Sequence, residues 1–200
     1  SADPSMPGAH IRTYALTALP AIDRMVTTSS PMDPSERTAD VVQVWRLSDL
    51  KLLKTVQVPE SKTDSAYRYP FELKTLADGK SVLVHTYYCG FYRLTDVATD
   101  PKIERVMMME HPKNIGCSVP IIEGKYMVMP IAYAHRYATI DISDPSHPRE
   151  VGSLATDSTF FPHWISKDPN SDRVIVTDQG DGPPMIRLGR LDPATGRITW

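Results

Sequence analysis

Four segments of this 200-residue chain share one pattern, and that repetition limits the possible folds more than any single motif. Each begins with a turn that runs into an apolar strand: "AIDRMVTTSSPM" (21–32), "DGKSVLVHTYYC" (78–89), "EGKYMVMPIAYA" (123–134) and "NSDRVIVTDQGD" (170–181). With Arg24, Lys80, Lys125 and Arg173 as anchors, the spacings are 56, 45 and 48 residues. Each continues as a strand, an Asp-containing turn and another strand, as in "VVQVWRLSDLKLLKTVQV" and "RYATIDISDPSHPREVGSL". One more strand precedes each anchor: "RTYALTAL", "YPFELKTL", "IGCSVPII" and "PHWISKD". Three or four short antiparallel strands recurring at this interval are the signature of a β-propeller blade. A single blade cannot bury both of its faces, so blades pack on one another. The competing fold is a β-sandwich with evenly spaced hairpins.

The turns have a consistent chemistry. Asp or Ser ahead of Pro starts a turn, because Pro presets φ and the Asp carboxylate accepts backbone N–H groups. Gly79, Gly124 and Gly196 supply the positive φ that a tight hairpin needs. Eighteen prolines suit many short elements, and no stretch sustains a helical period. The expected fold is an all-β propeller of about four blades, spanning roughly 10–66, 67–113, 114–157 and 158–200. Because "DPATGRITW" stops inside an apparent strand, the last blade reads as truncated. The chain is then expected to be part of a larger ring, with the remaining blades in a longer protein. Residues 1–9, polar and turn-rich, read as a linker or an expression scar.

Charge argues against two partner classes. A net charge of -2 offers no basic surface for nucleic acid or an anionic membrane. No apolar run approaches the ~18–20 residues of a membrane span. Phosphate-binding Gly-rich loops, a Gly-x-Ser-x-Gly elbow and zinc-ribbon cysteine pairs are all missing from the sequence.

Three strings, "ADVVQVWRLSDLKLL" (39–53), "PFELKTLADGKSVLVHTYYCGFYRL" (70–94) and "FPHWISKDPNSDRVIVT" (161–177), resemble the propeller of the selenium-binding protein family, whose best-known enzymes are methanethiol oxidases. "IDISDPSHPREVGSL" resembles the LVIVD-type repeat of bacterial surface and secreted propellers. The resemblance implies copper as cofactor, oxidation of a small thiol as activity, and a periplasmic or extracellular location. Family members are larger, and their histidine-rich blades have no obvious counterpart here.

Candidate site residues come from the strand ends. Aligned position by position, the inner strands place Tyr14, Phe71, Cys117 and His163 at one level, where they would face a common axis. Glu72 is out of phase with them and is expected at the blade interface. A second set ends the next strands: His85, Tyr87, Tyr88, Cys89 and His135. Thiolate and imidazole donors suit copper or zinc, so His85, Cys89, Cys117 and His163 form the candidate metal set. Tyr14, Phe71, Tyr87 and Trp164 form the candidate ligand-binding set. For the two cysteines three readings stay open: small buried hydrophobes, a disulfide, or metal ligands. "DQGDGPPM" (178–185) has the composition of a Ca²⁺ loop without its regular spacing. His111 and His147, in Pro-flanked turns, are expected in solvent. The alternative to a small-ligand or metal site is a non-catalytic scaffold for a protein or glycan, with Tyr67, Tyr69, Tyr87, Tyr88, Tyr133 and Tyr137 exposed at the loop ends.

Overall fold

Short apolar strands punctuated by Asp, Gly and Pro turns fold into four separate antiparallel sheets of four strands each. The structure, a computed structural model, describes residues 10–32, 36–59, 61, 68–109 and 116–200. The 1–9 segment, Tyr67 and His111 lie outside the described residues. Blade 1 holds β1 (Thr13–Leu19), β2 (Arg24–Ser29), β3 (Val41–Arg46) and β4 (Leu52–Gln57). Blade 2 holds β5 (Pro70–Thr75), β6 (Val82–Thr86), β7 (Gly90–Thr95) and β8 (Lys102–Met108). Blade 3 holds β9 (Ile121–Glu123), β10 (Tyr126–Ile131), β11 (Arg136–Asp141) and β12 (Arg149–Ala155). Blade 4 holds β13 (Pro162–Lys167), β14 (Arg173–Asp178), β15 (Ile186–Leu191) and β16 (Ile198–Thr199). Every sheet is a simple meander, so the chain is all-β with the four-bladed β-propeller fold. No helix among the described residues is long and apolar enough to cross a membrane.

The turns form as their residues dictate. In the hairpins between third and fourth strands, Asp49, Asp144 and Asp192 each accept a backbone N–H two residues on, at 3.1, 2.9 and 2.9 Å. Asp78 and Asp168 do the same between first and second strands. His147 sits in such a turn, exposed, with Nδ1 2.9 Å from Asp144 Oδ2.

Backbone pairing corrects the sequence alignment by one residue. The outermost bridges of first and second strands are Thr13–Ser29, Pro70–Thr86, Cys117–Ile131 and Pro162–Asp178. Each blade then slips register by one residue before pairing resumes, at Leu16–Thr27, Leu73–Val84, Ile121–Val128 and Trp164–Thr177. A bulge repeated in all four blades bends the inner strand at the same level. Blade 3 shows it most strongly: Pro120 has no N–H to pair, and β9 is only three residues long. Counting from these bridges, Val26, Leu83, Val128 and Ile175 are equivalent.

The chain divides into two compact units, residues 1–109 and 110–200. In the first, one face of blade 1 (Val26, Val42, Val44) packs on blade 2 through Leu73, Val82, Val84, Tyr92 and Leu94. In the second, the equivalent face of blade 3 (Val128, Tyr137) packs on blade 4 through Ile165, Val174 and Val176. We call these the forward face of one blade and the rear face of the next. Alternation along each strand separates the two faces.

Candidate functional site

Three of the four residues proposed for ligand binding share the first unit. Tyr14 on β1 and Phe71 on β5 sit one residue past the outermost bridge of their blades, where the bulge turns both side chains the same way. Their rings stack with centroids 4.1 Å apart and planes 27° from parallel. Tyr87, in the turn after β6, meets Phe71 edge-on at 5.8 Å, and Tyr88 meets Tyr87 edge-on at 5.3 Å. Tyr69 extends the cluster to Tyr88 at 6.0 Å. Stacked and edge-to-face arrangements are the ones the ring quadrupole favours. All five rings are half-buried, so the cluster has one packed side and one accessible side.

The backbone holds this wall in place. Thr28 Oγ1 donates to the Phe71 carbonyl at 2.6 Å, linking blade 1 to the strand that carries the ring. Tyr87 N–H donates to the Tyr69 carbonyl at 2.9 Å. Tyr69 takes a left-handed φ of 60°, and its own N–H donates to Asp40 Oδ1 at 2.9 Å. Asp40 is 8% exposed, and burial raises its pKa, with the Tyr69 N–H and the charges of Arg37 and Arg68 opposing. Nothing in the sequence had singled out Asp40; a lone Asp ahead of a strand carries no distinguishing signal.

Charge in the cluster comes from Glu72, whose side chain is 16% exposed and 3.4 Å from Lys74 Nζ. Burial first, and the Glu72 carboxylate second, push the Tyr14 hydroxyl up to about 12. Tyr14 therefore stays protonated and can donate a hydrogen bond at any ordinary pH. Glu72 was expected out of phase with Tyr14; its charge is nonetheless felt there.

The candidate metal set fares differently. His85 on β6 is 2% exposed, with Nδ1 3.0 Å from the Thr86 carbonyl and its ring between those of Phe71 and Phe91, each at 6.0 Å. Cys89 and Cys117, the only cysteines, are fully buried and both disulfide-bonded. A cystine sulfur is not a thiolate, so neither offers the anionic donor that copper or zinc selects. Among the described residues no three His, Cys, Asp or Glu side chains converge as a metal site. These residues do not fit the copper centre that the resemblance implies. By register Cys117 is level with Thr13, Pro70 and Pro162, whereas Tyr14, Phe71 and His163 are level with Ser118. His163 on β13 is half-buried, and its carbonyl accepts the Val119 N–H at 2.9 Å. Trp164 beside it is 55% exposed on the forward face of blade 4.

The second unit carries a counterpart of the aromatic turn. His135 occupies the left-handed position held by Cys89 in blade 2, at φ 48° against 65°. Its Nδ1 lies 3.0 Å from the Phe160 carbonyl, and its ring meets Phe161 edge-on at 4.5 Å. Tyr133 is 51% exposed, whereas Tyr137, expected in solvent, is 1% exposed in the blade 3–blade 4 core. Asp178, part of the candidate Ca²⁺ loop, spends Oδ1 on the backbone N–H groups of Phe161 and Gly180 at 2.7 and 3.1 Å.

No family model matches the chain. No curated protein matches it either. Solved structures do. One described as a hypothetical selenium-binding protein from Sulfolobus tokodaii is 12% identical over 94% of this chain and 53% of its own, with a TM-score of 0.74. The periplasmic gluconolactonase PpgL of Pseudomonas aeruginosa is 15% identical over 98% and 54%, at 0.69. Hydrazine synthase of Kuenenia stuttgartiensis is 14% identical over 98% and 51%, at 0.65. The chain thus spans about half the length of the structures it matches. Such identities establish architecture alone, and by that measure the chain is a divergent β-propeller.

Proposed function

We propose that this chain is a ligand-binding propeller segment whose aromatic wall takes a small sugar or sugar-lactone ring. The observation that supports it is the Tyr14–Phe71 stack flanked by Tyr87, with a protonated Tyr14 hydroxyl and the Glu72 carboxylate beside it. Aromatic faces pack against the C–H face of a flat polar ring, and a few polar groups fix its orientation. The ligand class draws support from the gluconolactonase among the similar structures. The disulfide state of both cysteines supports an oxidising location, the periplasm or cell exterior.

The test is ligand-observed NMR with gluconolactone, gluconate and glucose. Saturable binding that Tyr14→Ala and Tyr87→Ala each weaken about 2- to 10-fold, as expected for losing one aromatic contact, supports the reading. Trp164→Ala should leave it unchanged. Failure to saturate with any of the three up to ~10 mM, or binding indifferent to Tyr14 and Tyr87, rejects it.

A further inference from the structure

A second corner of the molecule, made only of residues from blades 3 and 4, holds polar atoms that no other described residue engages. His135 ends the short 3₁₀ turn Ala132–Ala134 with φ 48° and ψ 48°. A side chain other than glycine is uncommon in that left-handed region, and its surroundings must hold it there. They do so through the backbone: the His135 N–H donates to the Ala132 carbonyl at 3.1 Å, and the His135 carbonyl accepts the Thr156 N–H at 2.7 Å. The ring is fixed as well. Its Nδ1 lies 3.0 Å from the Phe160 carbonyl, which also accepts the Thr156 hydroxyl at 3.1 Å. A carbonyl can only accept, so Nδ1 carries the proton and the neutral ring presents Nε2 as an acceptor. Nε2 makes no hydrogen bond among the described residues.

Aromatic rings and a carboxylate join it. Phe161 meets the His135 ring at 4.5 Å and 66°, and the Tyr133 ring at 5.9 Å and 78°. Three rings at steep angles make a corner, and Tyr133, half-exposed, is its open wall. Asp178 adjoins Phe161: the Phe161 ring and Asp178 Oδ2 lie 3.0 and 3.3 Å from one point, the place a Cβ on Gly180 would take. Oδ1 is spent on the Phe161 and Gly180 N–H groups, whereas Oδ2 has no hydrogen bond or ion pair among the described residues. Arg187, the cation on the neighbouring strand, is paired with Asp157. Asp181, in the same loop as Asp178, is exposed and adds negative charge.

We propose that this corner binds a primary ammonium group carried on a short apolar chain or ring. Its two open atoms, Nε2 and Oδ2, both accept, so the partner is a donor. A carboxylate beside aromatic rings selects a positively charged donor, because charge-assisted hydrogen bonding and cation–π attraction act together. A primary ammonium offers three N–H donors, whereas a quaternary one offers none. Two acceptors fall short of a metal centre, and no three His, Cys, Asp or Glu side chains converge among the described residues. The corner shares no residue with the Tyr14–Phe71 wall, so the proposal is independent of the sugar reading.

Titration of benzylamine at neutral pH into protein carrying isotope-labelled histidine, followed by NMR, tests it. The expected result is a saturable shift of the His135 Nε2 signal while Nδ1 stays protonated. Benzyl alcohol lacks the charge and benzyltrimethylammonium lacks the donors, so each should bind at least about 5-fold more weakly. Asp178→Asn keeps an oxygen for the Phe161 and Gly180 N–H groups, so circular dichroism should report unchanged folding while benzylamine binding drops about 5-fold or more. Tyr133→Ala, at an exposed position, should weaken it about 2- to 5-fold. Failure to saturate up to ~10 mM overturns the proposal, as does benzyl alcohol or benzyltrimethylammonium binding as tightly as the amine. So does binding that Tyr14→Ala weakens and Asp178→Asn does not, which would move the amine to the aromatic wall.

Discussion

The two blade–blade contacts use the same geometry and different residues. Blade 1 meets blade 2 mainly through valines and leucines, with Tyr92 the one fully buried ring among them and a Thr17–Thr75 hydroxyl pair at 2.8 Å toward one end. Blade 3 meets blade 4 through Tyr137 and Phe160 as well as aliphatics, with a Glu123–Lys167 ion pair at 3.2 Å toward the same end. The outer hairpin is held by Arg24 in one unit and Tyr126 in the other. Blade geometry therefore fixes where a side chain must be and leaves wide latitude in what it is. That latitude has a cost in the second unit: the ring of Tyr126 leaves room for no Cβ at the hairpin tip.

Gly196 is where that cost should show most. It has φ +71°, and a Cβ there would lie 2.6 Å from Thr139 Cγ2 and 2.7 Å from the Tyr126 ring. The Thr139 hydroxyl also donates to its carbonyl at 2.8 Å, so the hairpin cannot simply swing away. Gly196→Ala should destabilise the second unit by about 3 kcal/mol, combining left-handed backbone strain with overpacking. Gly124 is the control: φ +57° with nothing within 4 Å of its Cβ. Gly124→Ala should cost only about 1–2 kcal/mol. Equal effects in urea titrations would show that the hairpin yields and the Tyr126 contact is soft.

The next largest effect should fall in the first unit. Leu94 is fully buried in the aliphatic contact. Leu94→Ala should cost about 2–5 kcal/mol by transfer and cavity, and Ile165→Ala, fully buried in the second unit, should fall in the same range. Hydrogen exchange should show each loss confined to its own unit. Uniform deprotection across all four blades would instead mean that the units unfold together.

The strands and turns of the blades were visible in the sequence; the candidate site was visible only in part. Turn residues such as Asp49, Asp144 and Asp192 act through their immediate neighbours, so four blades could be read from spacing alone. The aromatic wall assembles across blades, and Tyr14, Phe71, Tyr69, Tyr87 and Tyr88 each carried a local signal as rings at strand or loop ends, but not their convergence. Asp40 gained its place through a backbone contact 29 residues away, which no local pattern encodes. Cys117 was aligned with Tyr14 although the bridges place it level with Thr13, because counting along a strand does not show which residues the neighbouring strand pairs with.

Removing one polar contact from each interface gives a smaller and more discriminating effect. Tyr126→Phe deletes the donor to the Ala194 carbonyl and keeps the ring over Gly196. It should cost about 0.5–1.5 kcal/mol. Arg24→Met removes the donor to Ala98 and also the guanidinium bonds to the Ile22 and Asp23 carbonyls at 3.2 and 3.0 Å. Its cost should be the larger of the two, because three carbonyls lose a charged donor. If Tyr126→Phe proves the more damaging, the hydroxyl rather than the ring holds the second hairpin.

The smallest effect should come from acid, through the Asp turns of blade 4. Hydrogen bonds from the Thr195 hydroxyl and the Ala194 N–H hold the Asp192 carboxyl below its ordinary 3.8; the Asn170 N–H and Ser171 hydroxyl do the same for Asp168. A carboxylate whose folded pKa is depressed contributes stability that is present above its unfolded pKa and is lost as pH falls through the folded one. Stability should therefore be flat from neutral pH down to about 5 and fall below about 4, near the unfolded carboxylate pKa. Asp40, with its pKa raised by burial, runs the other way: its charged form is penalised, and that penalty is relieved as pH falls through its folded value. Asp192→Asn should flatten the acid limb, whereas Asp40→Asn should steepen it, since a group that gains from protonation has been removed. Urea midpoints for both variants between pH 3 and 7 decide the matter, and an acid limb that neither substitution moves would place the acid sensitivity outside these turns.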